Sequence, residues 1–154
     1  MMIISWKTGV LLGILVALAL MAYIRLAPSD PKDWHIAIAT RDAIPQGPCT
    51  DHIALVPKGA RAACLLPQPP AQVLDKLEAI ALTSPRTQHL AGSAAEGRIT
   101  WVSRSFLMGF PDYVTAEVLQ TPAGTRLDIV SRLRFGTVDF GVNAARLKDW
   151  LSQL

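Results

Sequence analysis

Between Ser131 and Trp150 the chain sets Arg132, Arg134, Asp139, Asn143 and Arg146 around Gly136 and Gly141. Two residues apart on a strand, Arg132 and Arg134 would share one face about 7 Å apart. Arg104, in an earlier strand-like run, could join them. A helix starting at Asn143 would add free backbone N–H groups, a natural anion site. The chemistry this set predicts is capture of a carboxylate or phosphate. The competing reading is a lattice of ion pairs with Asp112, Glu117, Asp128 and Asp139 that pins the turn to the sheet. Gly136 and Gly141 are expected to supply unusual backbone angles, and Asp139 to turn on its own downstream backbone. Replacing Arg132 with Ala separates the two: capture predicts lost ligand on an intact fold, a lattice predicts a collapse in melting.

Other chemistries are less well served. A hydrolase needs a nucleophile, a base and an orienter. Ser103, Ser105 and Ser131 exist, but no Gly-x-Ser-x-Gly elbow does, and His35, His52 and His89 lie outside the motif region. Asp128 and Asp139 could act as paired carboxylates, yet nothing separates them from structural acids. A hydrolase or transferase that uses the arginines to stabilise developing negative charge stays open as the alternative. Cys49, His52 and Cys64 fall short of the four ligands zinc usually takes. The two cysteines are the only ones in the chain, and an even count fits a disulfide. Closing its 15-residue span would stabilise the fold by about 3 kcal/mol. No metal and no cofactor is assigned.

The elements that must position these residues read as follows. Three strand-like runs, Arg98 to Phe106, Tyr113 to Gln120 and Thr125 to Phe135, are joined by turn-forming segments at 109–112 and 121–124. Such short joins favour an antiparallel meander. In the third run Leu127, Ile129, Ser131, Leu133 and Phe135 point to one face, and Arg126, Asp128, Val130, Arg132 and Arg134 to the other. A helix over 71–82 offers Val73, Leu74, Leu77, Ile80 and Ala81 on one side. A closing helix, with Asn143 as N-cap, offers Leu147, Trp150, Leu151 and Leu154. Trp34 to Ala39 reads as a weak edge strand, Arg41 to Pro70 as an irregular loop, and Thr87 to Gly97 as loop with a short strand near Gln88-His89-Leu90. The fold class is α+β: an antiparallel β-meander packed by two helices and preceded by a single N-terminal transmembrane helix. The chain divides into an anchor (1–25), a linker and irregular loop region with the disulfide (26–70) and an α+β domain (71–154).

The anchor follows from the run Thr8 to Ile24, which carries no charge. With the residues back to Ile3 it spans about 33 Å as a helix, enough for a hydrocarbon core of about 30 Å. Trp6 and Tyr23 stand at the two ends, where aromatic belts belong. Ala17-Leu18-Ala19 would suit a signal-peptide cleavage site, but the apolar run continues past it. Gly9 and Gly13 form a short Gly-x-x-x-Gly motif that permits close helix packing. Pro28 and Pro31 stop the helix. Removing the flanking Lys7 and Arg25 from the 15 basic residues leaves 13 against 12 acidic ones, which is no footprint for nucleic acid. Lys and Arg counts do not decide the orientation. The cysteines do, because a disulfide persists only in an oxidising compartment. The expected location is therefore a bacterial inner membrane, single-pass, with the C-terminal domain in the periplasm.

The segments Arg98-Ile-Thr-Trp-Val-Ser-Arg-Ser, Gly109-Phe-Pro-Asp-Tyr-Val and Ser131-Arg-Leu-Arg-Phe-Gly-Thr-Val-Asp-Phe-Gly-Val-Asn-Ala-Ala-Arg resemble the bacterial family called domain of unknown function 1499. The opening Tyr23-Ile-Arg-Leu-Ala-Pro-Ser-Asp-Pro is similar to its membrane-anchored members. Leu133 stands where the family pattern leads one to expect serine. The resemblance covers about residues 71–154 and implies an envelope or membrane context. The leading expectation is a non-enzymatic envelope protein that binds a small anion, a lipid headgroup or a partner protein. The bilayer itself is a partner, and a structural role in a membrane complex is a third reading.

Overall fold

The computed structural model describes residues 5–38, 47–138 and 140–154. Helix α1 (Trp6–Leu26) begins where the Ser5 hydroxyl accepts from the Thr8 N–H and ends before the prolines of the linker. It is long and apolar enough to cross a membrane, and only 6% of its most apolar window is buried in the protein. A one-turn helix, α2 (Pro31–Trp34), follows, capped by the Asp30 carboxylate on the Lys32 N–H. The expected edge strand at 34–39 does not form: Trp34 closes α2, residues 35–38 pair with no strand, and Ala39 lies outside the described residues.

A six-stranded sheet, antiparallel throughout, forms the body of the domain. Its strands are β1 (Ala54–Val56), β2 (Gly59–Leu66), β3 (Thr87–Ser93), β4 (Arg98–Arg104), β5 (Pro111–Thr121) and β6 (Gly124–Leu133), in the order β1-β2-β6-β5-β4-β3. The meander β3 to β6 contains the three expected strands and a full β3 where mainly loop was expected. The larger correction is at 54–66, read as irregular from sequence. There β2 pairs with β6 along its whole length, from Gly59↔Arg132 to Leu66↔Thr125. Five of its eight residues are glycine, alanine or cysteine, so it lacks the β-branched signature of a strand. Gly59 explains part of that composition. A Cβ there would stand 1.9 Å from the Ser131 carbonyl oxygen, so only glycine lets the strand ends close up.

Helices α3 (Pro70–Thr83) and α4 (Val142–Leu151) cover one face of the sheet. Their Val73, Leu74, Leu77, Ile80, Leu147 and Trp150 pack on Ile99, Trp101, Val114, Leu127 and Ile129 to make the core. Fully burying a side chain of this size is worth about 2 kcal/mol relative to leaving it in water. Trp101 and Trp150 meet edge to face at 5.6 Å, and each indole N–H has an acceptor, Glu78 and Ser84 respectively. A disulfide joins Cys49, in a 3-10 turn (Cys49–His52), to Cys64 on β2.

The opposite face is covered by irregular chain. Residues 27–38 run across it from the end of α1, with the Trp34 ring stacked on Tyr113 at 3.7 Å between centroids. The domain is therefore three layers deep: helices, sheet, linker.

Candidate functional site

Strand alternation assigns each candidate residue to a face. Thr100, Val102 and Arg104 of β4, Tyr113, Thr115 and Glu117 of β5, and Arg126, Asp128 and Arg132 of β6 lie on the linker side, as does Arg134 just past the end of β6. Asp112 and Ser131 lie on the helix side, where α4 brings Asn143 and Arg146. The five expected anion-site residues thus fall into two groups with the sheet between them.

On the linker side the arginines hold backbone carbonyls. Arg132 donates from Nη2 to the Trp34 carbonyl and to Thr115 Oγ1, both at 2.8 Å, and its guanidinium lies 5.9 Å from the Trp34 ring centre. Burial lowers its pKa from the ordinary value, yet an arginine stays charged in a protein. Arg134 donates to the Pro28 carbonyl and to the Tyr113 hydroxyl, and Tyr113 also meets Ser29 Oγ at 2.8 Å. Arg104 reaches the Gly109 carbonyl at 3.1 Å and the Ala27 carbonyl at 3.5 Å. Further along, His35 Nδ1 meets Thr100 Oγ1 at 2.9 Å, and the Ile38 N–H donates to Glu117 at 3.1 Å. Desolvation, then the charge of Arg98, lowers the His35 pKa and favours the neutral ring. The acids expected in a lattice are engaged here as well: Arg98 binds Glu117, and Arg126 grips Asp128 with two hydrogen bonds of 2.6 and 2.8 Å.

On the helix side, Arg146 donates to Asn143 Oδ1, to Ser131 Oγ at 3.2 Å and to Asp112 at 3.1 Å, while the Ser131 hydroxyl also donates to Asn143. Asn143 is fully buried and is not the N-cap. That position belongs to Gly141 in the left-handed region at φ +82°, so the helix starts at Val142, one residue before Asn143, and carries the Asn143 side chain inward. Gly136 has φ +86°. Asp139 lies outside the described residues.

One open cleft of 320 Å³ lies at the end of the sheet where α1 arrives. Arg25, Arg86 and Arg104 converge on it, with Gln88, Ser105 and Phe106. Of these three arginines the sequence points to Arg104 alone as a site residue. Arg25 comes from the last turn of α1 and donates to the Leu107 carbonyl at 2.7 Å. Arg86 precedes β3 with φ +59°, a region that disfavours side chains. Its Nε–H donates to the Arg104 carbonyl at 3.0 Å, and its guanidinium stands 5.3 Å from the Phe106 ring centre. None of the three is in a salt bridge among the described residues. Three cations gathered without a counter-charge are what an anion site requires. Residues 25, 86 and 104 share no local motif, so periodicity gives no signal for the group; the tertiary fold creates it.

The chain shows no match to the curated proteins or to the solved structures compared with it. A family model described as "Protein of unknown function (DUF1499)" matches residues 28–154. The match starts with the linker that lies on the sheet, and takes in both faces and every strand. The chain belongs to this family, DUF1499.

Proposed function

We propose that this is a membrane-anchored envelope protein that binds an anionic group, a phosphate or carboxylate, in the cleft formed by Arg25, Arg86 and Arg104, without catalysing a reaction. The observation that carries the reading is the convergence on one solvent-open cleft of three guanidiniums that have no carboxylate partner among the described residues. The other lining groups, the Gln88 amide and the Ser105 hydroxyl, add hydrogen-bonding capacity. Arg132 and Arg134 we assign to holding the linker, because their hydrogen bonds end on linker carbonyls and neighbouring hydroxyls; Arg104, which lines the cleft, also reaches the Ala27 carbonyl at 3.5 Å and serves both. The apolar α1 supports the anchor, and the Cys49–Cys64 disulfide supports placing the domain on the periplasmic side of a bacterial inner membrane.

The test is titration of inorganic phosphate and of glycerol 3-phosphate into the full chain in nonionic detergent, comparing it with Arg86→Gly. Glycine suits the positive φ at position 86, so this variant removes a cation without adding backbone strain. Losing one charge-assisted contact is worth about 2 kcal/mol, or roughly thirtyfold in affinity. Equal affinity in the two proteins, or none in either, refutes the site.

A further inference from the structure

The end of the domain that faces α1 carries apolar side chains that none of the described residues covers. The loop from β4 to β5 exposes Phe106 at 78% and Leu107 at 70%. The loop from β6 to α4 exposes Phe140 at 93%, with Val138 and Val142 also open to solvent. Phe140 adopts φ +52°, a conformation costly for an aromatic residue, and makes little protein contact in return.

The first loop, and Phe135 at the start of the second, touch the last turn of the anchor. Arg25 donates to the Phe106 and Leu107 carbonyls. A Cβ at Gly109 would stand 2.7 Å from Arg25 Cγ, so this loop lies against the helix. Tyr23 meets Phe135 at 6.3 Å, and Phe135 meets Phe110 at 6.2 Å. Helix α1 has 21 residues, about 32 Å of rise, against a hydrocarbon core of about 30 Å. Its last turn must then lie at the headgroup level, and the loops touching that turn lie there with it. Aromatic and aliphatic tips beside arginines are the composition of an interfacial surface.

We propose that these two loops are a second membrane attachment: Phe106, Leu107 and Phe140 enter the interface of the bilayer that holds the chain's own anchor. This sets the mouth of the Arg25–Arg86–Arg104 cleft among lipid phosphates, so the anion it takes is a phospholipid headgroup. The inference rests on the membrane-anchored reading above. The bilayer is the occupant because the surface continues the anchor's own exit and matches the charge of phosphate.

The full chain in vesicles of phosphatidylethanolamine and phosphatidylglycerol in equal parts provides the test. The native cysteines are joined, so Phe106→Cys gives one reactive thiol for an environment-sensitive fluorophore. Ala123→Cys, in the exposed turn at the opposite end of the sheet, serves as the control. The expected result is a blue-shifted label at 106, quenched several-fold more by lipids spin-labelled near the headgroup than the label at 123. A label at 106 that iodide reaches as readily as the one at 123, in chains that float with the vesicles, overturns the docking and leaves the anchor standing. Chains that do not float with the vesicles overturn both. Phosphate affinity measured on Arg86→Gly reports on the cleft separately. A buried label with no effect of Arg86→Gly keeps the docking and removes the headgroup from the cleft.

Discussion

The two faces of the sheet are covered by different physics. On one side, two amphipathic helices bury large apolar side chains around Trp101 and Trp150. On the other, twelve residues of nearly irregular chain lie on a polar surface, held by side-chain donors that reach backbone carbonyls at Ala27, Pro28 and Trp34. Apolar burial is non-directional and tolerates approximate shape. Carbonyl gripping is directional, and each contact depends on one named donor. The helix face should therefore carry the global stability, and the linker face should fix the path from anchor to domain.

The largest loss of stability is expected on the apolar side. Trp101→Ala empties a fully buried site and should cost about 4 kcal/mol, read as a fall in the denaturant midpoint; a loss as small as that of a surface change would mean the helices are not the main cover. Reducing the Cys49–Cys64 bond should cost about 3 kcal/mol through loop entropy, measurable as the difference in melting with and without reductant. Arg132→Ala removes two hydrogen bonds to Trp34 and Thr115 and should cost about 2 kcal/mol. Its sharper readout is hydrogen exchange: protection should fall at the His35 and Ile38 amides and stay intact on α3 and α4. Equal loss on both faces would show that the two covers are one cooperative unit.

The smallest effect is a pH dependence of the linker face. The His35 pKa is lowered in the folded state from the ordinary 6.5. The unfolded chain then binds more protons below that value, and stability rises with pH there. The contribution is fully present above about pH 6.5 and is lost as pH falls toward the lower folded value. His35→Gln should flatten the slope below about pH 6.5. An unchanged slope would move the proton uptake to another group.

The helix face was legible in the sequence because it obeys periodicity. Leu127, Ile129 and Ser131 alternate on β6, Val73, Leu74 and Leu77 recur at helical spacing, and all are buried as their patterns require. The linker face was half legible. Arg132 and Arg134 were placed on one face by the same alternation, but their partners lie about a hundred residues earlier in chain without a repeat. Arg146 and Asn143 follow the arginines closely in sequence, which suggested one cluster. The reversal at Gly141 sends α4 back over the helix side instead, and the sheet parts them. β2 is not legible, because alanine and glycine signal no strand, though its register with β6 demands small residues near Ser131.

Ile24 and Ala27, where the anchor gives way to the linker, are both buried in the domain. A tether that enters its cargo this way leaves no swivel. In the membrane-anchored reading proposed above, the domain spins about the bilayer normal and drifts sideways with its lipids, but it neither tips nor stretches outward. Whatever it meets must come within a few nanometres of the membrane, the reach of a domain this size, and the same end of the domain always faces the lipid.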